Sequence, residues 1–257
     1  MIAPPAARLL LRARVVALCV LVAAPLIPGC ASARKHAAVT PNARKDDWWH
    51  KRLRELNARV KARAKRGGAD LLFIGDSITE GWERSGRAIW NKHYAHRKAL
   101  NLGINGDRTQ ELLWRLRRGH LEDLSPKAVV LLIGVNNAFG HWHTSTEIAD
   151  GIVAVVRLLR RKLPRAKVLL LSIFPAGPAP GPLRDKTARA SRLAAKRIAD
   201  GKRVHHLDIG ARFTAADGRI STRIMPDYLH LSEAGYRIWA AAIEGKLRQL
   251  LGERRRR

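Results

Sequence analysis

The chain has 257 residues, of which 46% are hydrophobic and 5% aromatic, and its 49 Lys and Arg against 21 Asp and Glu give a net charge of +28. A chain this apolar can bury a full core, which excludes intrinsic disorder, and its length suits one α/β domain or at most two small ones. The 20 Gly and 12 Pro show no triplet period, and only one apolar stretch approaches membrane length. Collagen, coiled coil and polytopic membrane protein are therefore excluded.

The large positive charge raises the question of a nucleic-acid partner, because fields of Lys and Arg attract polyanions. The basic residues are spread along the whole chain. No zinc-finger, RNA-recognition or helix-turn-helix signature accompanies them, so the sequence argues against nucleic acid as a partner. Affinity for anionic surfaces is expected in either case.

Residues 1–30 have the pattern of an export signal. Arginines form a cationic start, and residues 15–27 are an apolar run too short for a membrane span. The run ends in Ile27-Pro28-Gly29-Cys30, which resembles the lipobox of bacterial lipoproteins, so Cys30 is predicted to be lipidated and to anchor an exported protein to the membrane of the cell envelope or periplasm. Cleavage near Ala31-Ser32-Ala33 and an uncleaved anchor are the alternatives to lipidation. Each of the three possibilities implies an exported protein.

The termini of the predicted mature chain are polar. Cys19 lies inside the predicted signal, so no disulfide is expected after cleavage. Residues 31–46 are predicted to be a polar tether of low hydrophobicity. Residues 252–257 are predicted to be a solvated basic tail.

Between the tether and the tail, short apolar runs alternate with segments of helical periodicity. The predicted strands are residues 71–74, 99–102, 128–133, 167–173 and 204–208. The predicted helices are residues 47–66, 109–118, 145–163, 182–200 and 232–251. Strands separated by helices predict a five-stranded parallel sheet covered on both faces, within an α/β domain spanning residues 47–251.

Four polar blocks follow the predicted strands or precede the last helix, where a parallel sheet binds its ligands. They are Gly75-Asp76-Ser77, Gly103-Ile104-Asn105-Gly106-Asp107, Gly134-Val135-Asn136-Asn137 and Asp227-Tyr228-Leu229-His230. Together they supply what ester hydrolysis by a serine requires, namely a hydroxyl, a base, an acceptor that holds the base, and donors for the oxyanion.

Ser77 is the candidate nucleophile, at a strand-to-helix turn that presents its side chain at the sheet edge. A helix N-cap is the alternative role for this serine. His230 is the candidate base, and Asp227 could orient it through a turn. The alternative is an ordinary loop histidine.

Gly106 and Asn136 are the candidate oxyanion donors, together with the backbone N–H of Ser77. A glycine lets its N–H approach a substrate without a Cβ in the way, and a side-chain amide adds a neutral donor. Both residues could instead form turns. Each alternative is ordinary by itself, but their joint occurrence in four blocks favours a catalytic site.

These blocks resemble the SGNH family of GDSL-type lipases and acylhydrolases, whose four letters correspond here to Ser77, Gly106, Asn136 and His230. The resemblance covers about residues 69–245. The Asn101–Thr109 block, Leu113-Trp114-Arg115-Leu116 and Asp227-Tyr228-Leu229-His230-Leu231 are most similar to the subgroup typified by the catalytic subunits of intracellular platelet-activating-factor acetylhydrolase.

The resemblance implies a flavodoxin-like three-layer α/β/α sandwich that uses no metal and no organic cofactor. His141 and His143 are spaced in a way that permits metal ligation, but no carboxylate or thiol cluster accompanies them. This chain has Ile78 where the family pattern has Leu, a near-isosteric change at a packing position. The predicted export signal differs from the intracellular subgroup, which weakens any transfer of substrate.

The sequence thus predicts a serine esterase that cleaves a short acyl group, with acetyl preferred, from a carbohydrate or another small molecule. Deacylation of lipids is the second hypothesis. A non-catalytic exported protein that binds anionic envelope polymers is the third, since a fold alone does not establish an activity. The sequence does not determine the oligomeric state.

Overall fold

The structure is a computed structural model that describes Met1 and residues 36–253 except residues 120, 122 and 141. The predicted export signal with Cys30, residues 31–35 of the predicted tether and residues 254–257 of the predicted tail lie outside the described residues. No helix in the part of the chain that the structure describes is long and apolar enough to cross a membrane.

The five predicted strands form one all-parallel sheet with the order β2-β1-β3-β4-β5. In β1 to β3 every residue is buried, as in a sheet covered on both faces. This is the flavodoxin-like strand order, and it confirms the predicted fold class. The strands are β1 (Leu71–Gly75), β2 (Ala99–Gly103), β3 (Ala128–Leu132), β4 (Lys167–Leu171) and β5 (Val204–Leu207).

The five predicted helices are present, within two residues of the predicted ends. Three short helices and four 3-10 turns, at Ala37–Val39, Gly81–Glu83, Ala95–Arg97 and Gly210–Phe213, were not predicted. The α-helices are α1 (Asp47–Lys65), α2 (Ser77–Glu80), α3 (Arg87–His93), α4 (Thr109–Arg117), α5 (Val135–Ala138), α6 (Ser145–Lys162), α7 (Pro182–Ile198) and α8 (Glu233–Leu251).

Local signals explain where the long helices begin and end. Thr144 caps α6 in a reciprocal pair of hydrogen bonds with Glu147, and Pro182 occupies the first turn of α7. Ser232 accepts from the Gly235 N–H at the start of α8, which ends at Gly252 in the left-handed conformation.

The helices cover the sheet in two layers. Helices α4, α6 and α7 contact one another in sequence, while α3 packs against α8. The chain moves from β1 to β2 in one direction across the sheet and then, after β2, in the opposite direction to β3, β4 and β5. Because parallel crossovers are right-handed, the connection to β2 and those to β3, β4 and β5 lie on opposite faces. The result is the three-layer arrangement that the family resemblance implied.

An aromatic cluster fills the layer between the sheet and helices α3 and α8. The ring of Trp82 lies 5.9 Å from Phe73, 4.4 Å from Tyr236 and 5.0 Å from Trp239. All four side chains are almost fully buried. Large rigid rings of this kind contribute strongly to a core, so this cluster anchors the end of β1 from which Ser77 extends.

Residues 36–46 differ from the predicted tether, because they pack against the domain. Ala38 is fully buried, and its carbonyl accepts from Thr109 Oγ1 at 2.8 Å. His36 contacts Asp150 at 3.2 Å, and Arg44 Nη1 donates to the Gly106 carbonyl at 3.2 Å. Residues 36–46 are therefore part of the folded domain and not a tether, because specific hydrogen bonds hold them there despite their low hydrophobicity.

A buried ion pair joins the ends of the first two strands to the loop that follows β2. Arg115 Nε donates to Asp107 Oδ2 at 2.7 Å, and neither side chain is exposed. The same guanidinium donates to the carbonyls of Gly75 in β1 and Leu102 in β2. Trp49 Nε1 donates to the other carboxylate oxygen at 2.7 Å. The pair therefore fixes where the Gly103–Asp107 loop lies.

We expect Arg115→Met to lower the free energy of unfolding by about 3–5 kcal/mol, because it leaves the Asp107 carboxylate buried without its partner. Urea denaturation followed by tryptophan fluorescence measures this loss. The exposed Arg117 on the same helix supplies the matched control, Arg117→Met. Adding Asp107→Asn to Arg115→Met should recover part of the loss, and a single variant as stable as the control would contradict the assignment.

Candidate active site

The candidate site lies at the carboxyl ends of β1, β2 and β3, where the four polar blocks meet. Ser77 follows β1, Gly106 follows β2 and Asn136 follows β3. Asp227 and His230 reach the same place from the segment that precedes α8. The sheet therefore brings together residues separated by as many as 153 positions in the chain.

Ser77 is held at a tight strand-to-helix turn. Asp76 accepts from the Ile78 N–H at 3.0 Å and so caps α2, which leaves Ser77 as the first helical residue. The N-cap role considered for Ser77 therefore belongs to Asp76. The turn is closely packed, because a Cβ on Gly75 would lie 2.2 Å from the Leu132 carbonyl oxygen. Only glycine fits directly before the Asp76-Ser77 pair.

Ser77, His230 and Asp227 form a continuous hydrogen-bonded chain. The Ser77 Oγ to His230 Nε2 distance is 2.9 Å, and the His230 Nδ1 to Asp227 Oδ2 distance is 2.6 Å. Asp227 Oδ1 also accepts from the backbone N–H groups of Leu229 and His230, at 3.1 and 2.7 Å. This turn within one short segment sets the orientation of the imidazole relative to the serine.

The Asp227 carboxyl is more exposed than buried, and its hydrogen bonds favour the ionised form. Burial by itself raises its pKa, but the hydrogen bonds from the His230 side chain and from the two backbone N–H groups outweigh burial and hold the pKa below its usual value. An ionised carboxylate keeps the imidazole proton on Nδ1 and leaves Nε2 as the acceptor toward Ser77.

The three candidate oxyanion donors lie just after the carboxyl ends of β1, β2 and β3. Gly106 has a left-handed backbone with φ of 72°, which a side chain would strain. Asn136 Nδ2 donates one hydrogen to the Asp107 carbonyl at 2.9 Å, which orients its second N–H, and no other described residue accepts from that group. Within the described residues, the N–H groups of Ser77 and Gly106 donate to no other protein group.

Two residues that position the loops of the site, Asn101 and Glu80, were not predicted from the sequence. Asn101 lies in β2, where its side chain bonds the carbonyl of Thr79 and the N–H of Gly103. Glu80 accepts from the Asn105 N–H at 2.7 Å and so supports the loop that carries Gly106. A polar Asn inside an otherwise apolar predicted strand was the available signal for the first. Nothing local marks the second, because Asn105 is 25 positions away.

The capping residue Asp76 has an unusual environment. Its side chain is almost completely buried, and among the described residues nothing hydrogen-bonds to Oδ2. Burial, with a smaller contribution from the negative charge of Asp107, raises the pKa of Asp76 to about 7, although the Ile78 N–H and Arg115 oppose the rise. The carboxyl therefore gains its charge only near neutral pH.

We expect the free energy of unfolding of Asp76→Asn, measured relative to that of wild type, to rise by about 2–3 kcal/mol between pH 5 and pH 8. A folded-state pKa above the unfolded value stabilises the fold at low pH, and this contribution is lost as pH rises toward the folded pKa. Asn keeps the acceptor for the Ile78 N–H without the charge. Urea unfolding at both pH values measures the effect.

Asp208→Asn is the control for this prediction, because Asp208 is exposed and also accepts from an N–H two residues later. The difference between the two variants isolates the effect of burial. Equal pH dependence of both variants would contradict the raised pKa of Asp76.

Two cavities adjoin the Ser77–His230 pair. A smaller one of about 220 Å³ is lined by Ser77, His230 and residues that include Gly81, Leu231 and Tyr236. A wider groove of about 800 Å³ continues along Asp227 and His230, and its lining combines polar side chains such as Arg84, Arg87 and Glu233 with the apolar side chains of Ala88, Pro226 and Leu231. A small chamber next to the hydroxyl and an open groove of mixed polarity beside the imidazole can hold the two halves of an ester.

One of the two histidines spaced for possible metal ligation lies within the described residues. His143 is buried, and His141 lies outside the described residues. Among residues that the structure describes, no three His, Cys, Asp or Glu side chains are grouped to hold a metal ion.

A model of the GDSL-like lipase/acylhydrolase family matches residues 73–238, the segment that contains all four blocks. The chain belongs to this family. The family and the fold predicted from the sequence are confirmed, and the membership makes the protein an ester-bond hydrolase.

A family relative shows how far the similarity extends. The platelet-activating factor acetylhydrolase IB subunit alpha1 of Homo sapiens is 37% identical over 222 residues, which are 86% of this chain and 94% of the human protein. The similarity thus includes nearly all of the domain and is not limited to the four blocks.

Solved structures share the fold at lower identity. A GDSL-like lipase from Bacteroides thetaiotaomicron matches with a TM-score of 0.59 at 22% identity, over 78% of this chain and 97% of that one. An acetylxylan esterase from Geobacillus stearothermophilus matches with a TM-score of 0.53 at 21% identity, over 74% of this chain and 99% of that one. These matches support the sandwich architecture of this family member.

Proposed function

We propose that this family member is a serine esterase that removes short acyl groups, acetyl above all, from small or carbohydrate alcohols through an acyl-enzyme intermediate. The hydrogen-bonded chain from Ser77 through His230 to Asp227 is the observation that carries the proposal. This geometry gives a serine hydroxyl both a base within reach and an acceptor that orients the base.

In the first half-reaction, His230 Nε2 takes the proton of Ser77 as Oγ attacks the ester carbonyl carbon. The carbonyl oxygen becomes the oxyanion, and Asp227 stabilises the imidazolium that has formed. When the tetrahedral intermediate collapses, the bond to the leaving alcohol oxygen breaks and His230 returns the proton to that oxygen. An acyl-Ser77 ester remains.

Water completes the cycle by the same steps. His230 takes a proton from the attacking water, the second oxyanion forms at the same position, and the proton returns to Ser77 Oγ as the acid leaves. The N–H groups of Ser77 and Gly106 and the second N–H of Asn136 are the donors proposed for the oxyanion in both halves. Their positions are set before substrate arrives, so little reorganisation is needed.

The preference for short acyl groups rests on the small volume, about 220 Å³, of the cavity at Ser77, whose lining includes Tyr236 and Leu231. It offers room for an acetyl or a slightly longer group and not for a long acyl chain. The polar side chains in the wider groove, such as Arg84, Asn91 and Glu233, offer hydrogen-bond partners to a hydroxyl-rich alcohol. The relatives named platelet-activating factor acetylhydrolase support acetyl as the acyl group.

A fluorophosphonate probe tests the nucleophile directly. We expect the probe to add to Ser77 Oγ, so that the intact mass rises by one phosphonyl group and peptide mapping places the adduct on Ser77. Ser77→Ala should remain unlabelled and lose about 10⁴-fold or more in kcat with 4-nitrophenyl acetate. Ser85→Ala is the control, because Ser85 lines the same cavity and should leave labelling intact. Labelling that persists in Ser77→Ala would refute the proposal.

The oxyanion role of Asn136 has its own test. Asn136→Ala should lower kcat by about 10²–10³-fold with a small change in KM, because the lost donor acts mainly in the transition state. Asn136→Asp should lose at least as much, since a carboxylate repels the oxyanion. Steady-state kinetics with 4-nitrophenyl acetate measures both, and thermal unfolding checks that the variants are folded. An unchanged kcat in Asn136→Ala would remove this residue from the site.

A further inference from the structure

A third cavity, of about 540 Å³, borders the oxyanion donors Gly106 and Asn136. Residues 42–46 form one wall, and Arg108, Glu111 and Phe139 complete the lining. Its size is in the range of small-ligand sites. The cavity takes no part in the proton transfers of Ser77, His230 and Asp227. It is therefore considered as a binding site for part of a ligand.

The lining of this cavity carries an excess of positive charge. Three cations, Arg44, Lys45 and Arg108, face two carboxylates, and both carboxylates are already engaged. Asp46 accepts from Arg44 Nε at 2.8 Å, and Glu111 accepts from Arg108 Nη2 at the same distance. Lys45 is exposed and forms no ion pair with a described carboxylate. One uncompensated charge therefore lies at the mouth, within a protein of net charge +28.

Arg44 connects this cavity to the oxyanion loop. Its Nη1 donates to the Gly106 carbonyl at 3.2 Å, and its guanidinium lies 5.3 Å from the Trp48 ring centroid. A guanidinium has five N–H donors. Those toward Asp46 and Gly106 fix its position, and the remaining ones stay available to a ligand. The Arg44 fork is thus held beside Gly106 by contacts that an incoming anion need not break.

We propose that this cavity is a subsite for an anionic group, a carboxylate or a phosphate, carried by the ester substrate. The inference rests on the proposed esterase function and specifies the class of ester. The Arg44 guanidinium and the Lys45 ammonium match such groups, the first through paired N–H donors and the second as a mobile point charge. Phe139 contributes an apolar surface for the carbon skeleton that joins the anion to the ester.

Matched substrate pairs test the proposal and show which half of the ester carries the anion. For the alcohol side, 3-acetoxybenzoate is compared with its methyl ester. For the acyl side, 4-nitrophenyl hemisuccinate is compared with 4-nitrophenyl butyrate. The readout is the ratio of kcat/KM for the charged member to kcat/KM for the neutral member, because this ratio cancels losses common to both.

We expect wild type to prefer the charged member of at least one pair by about fivefold, the effect of one close, solvent-screened charge. Lys45→Gln should lower that ratio about threefold, and Lys45→Glu about tenfold, because the second change also adds repulsion. Raising the ionic strength should lower the wild-type ratio as well. Lys51→Gln is the control, since Lys51 is exposed on α1 and does not line the cavity.

A ratio near one for both pairs in wild type overturns the subsite while the esterase proposal stands. The same conclusion follows if a preference exists but neither Lys45 variant changes it, or if Lys51→Gln changes it equally. If wild type hydrolyses none of the neutral esters, the esterase proposal is overturned, and the subsite proposal is overturned with it. Lys45 is exposed, so its variants are expected to fold.

Discussion

The buried pair between Arg115 and Asp107 is the contact on which the geometry of the site depends. Its guanidinium binds the carbonyls at the ends of β1 and β2, and its carboxylate is held by both Arg115 and Trp49. Gly106 directly precedes Asp107, and the Asn136 amide donates to the Asp107 carbonyl. The position of one carboxylate residue therefore sets two of the three candidate oxyanion donors. Two charges removed from water are costly, and the hydrogen bonds that satisfy them require a defined arrangement of strand ends.

The two sides of the site are built on different principles. The oxyanion side is rigid, because it is formed by strand ends, a left-handed glycine and buried polar contacts such as those of Asn101 and Glu80. The histidine side is a short exposed turn, where the His230 and Asp227 side chains are 45% and 56% exposed. Hydrogen bonds within the turn determine the orientation of the imidazole. The distance from the imidazole to Ser77 is determined by the packing of α8. Tyr236 contributes to that packing through its bond to the Ile78 carbonyl at 2.7 Å.

Much of the fold was predictable from the sequence because the sheet is buried on both faces. A strand with no solvent face appears as a continuous apolar run, and Gly or a polar residue marks its end. The predicted ends of β3 and β4 lie one and two residues beyond the observed ends, because the apolar residues Ile133 and Ile173 are buried although they follow the last paired residues. The short helix α3 and the packing of residues 36–46 were not predicted. Both owe their positions to distant partners, such as Thr109 for Ala38, and no local periodicity reports such a contact.

The amino-acid sequence was enough to predict an α/β sheet, a serine after the first strand, a glycine and an asparagine after the next two strands, and an Asp-x-x-His turn before the last helix. These follow from periodicity and residue type, which are local properties. Three facts come from the folded domain alone: Oγ of Ser77 lies 2.9 Å from the His230 ring, Asp76 and not Ser77 caps α2, and Arg44 donates to the Gly106 carbonyl. Such facts depend on contacts between residues far apart in the chain, and their free energies arise only when the whole domain excludes water.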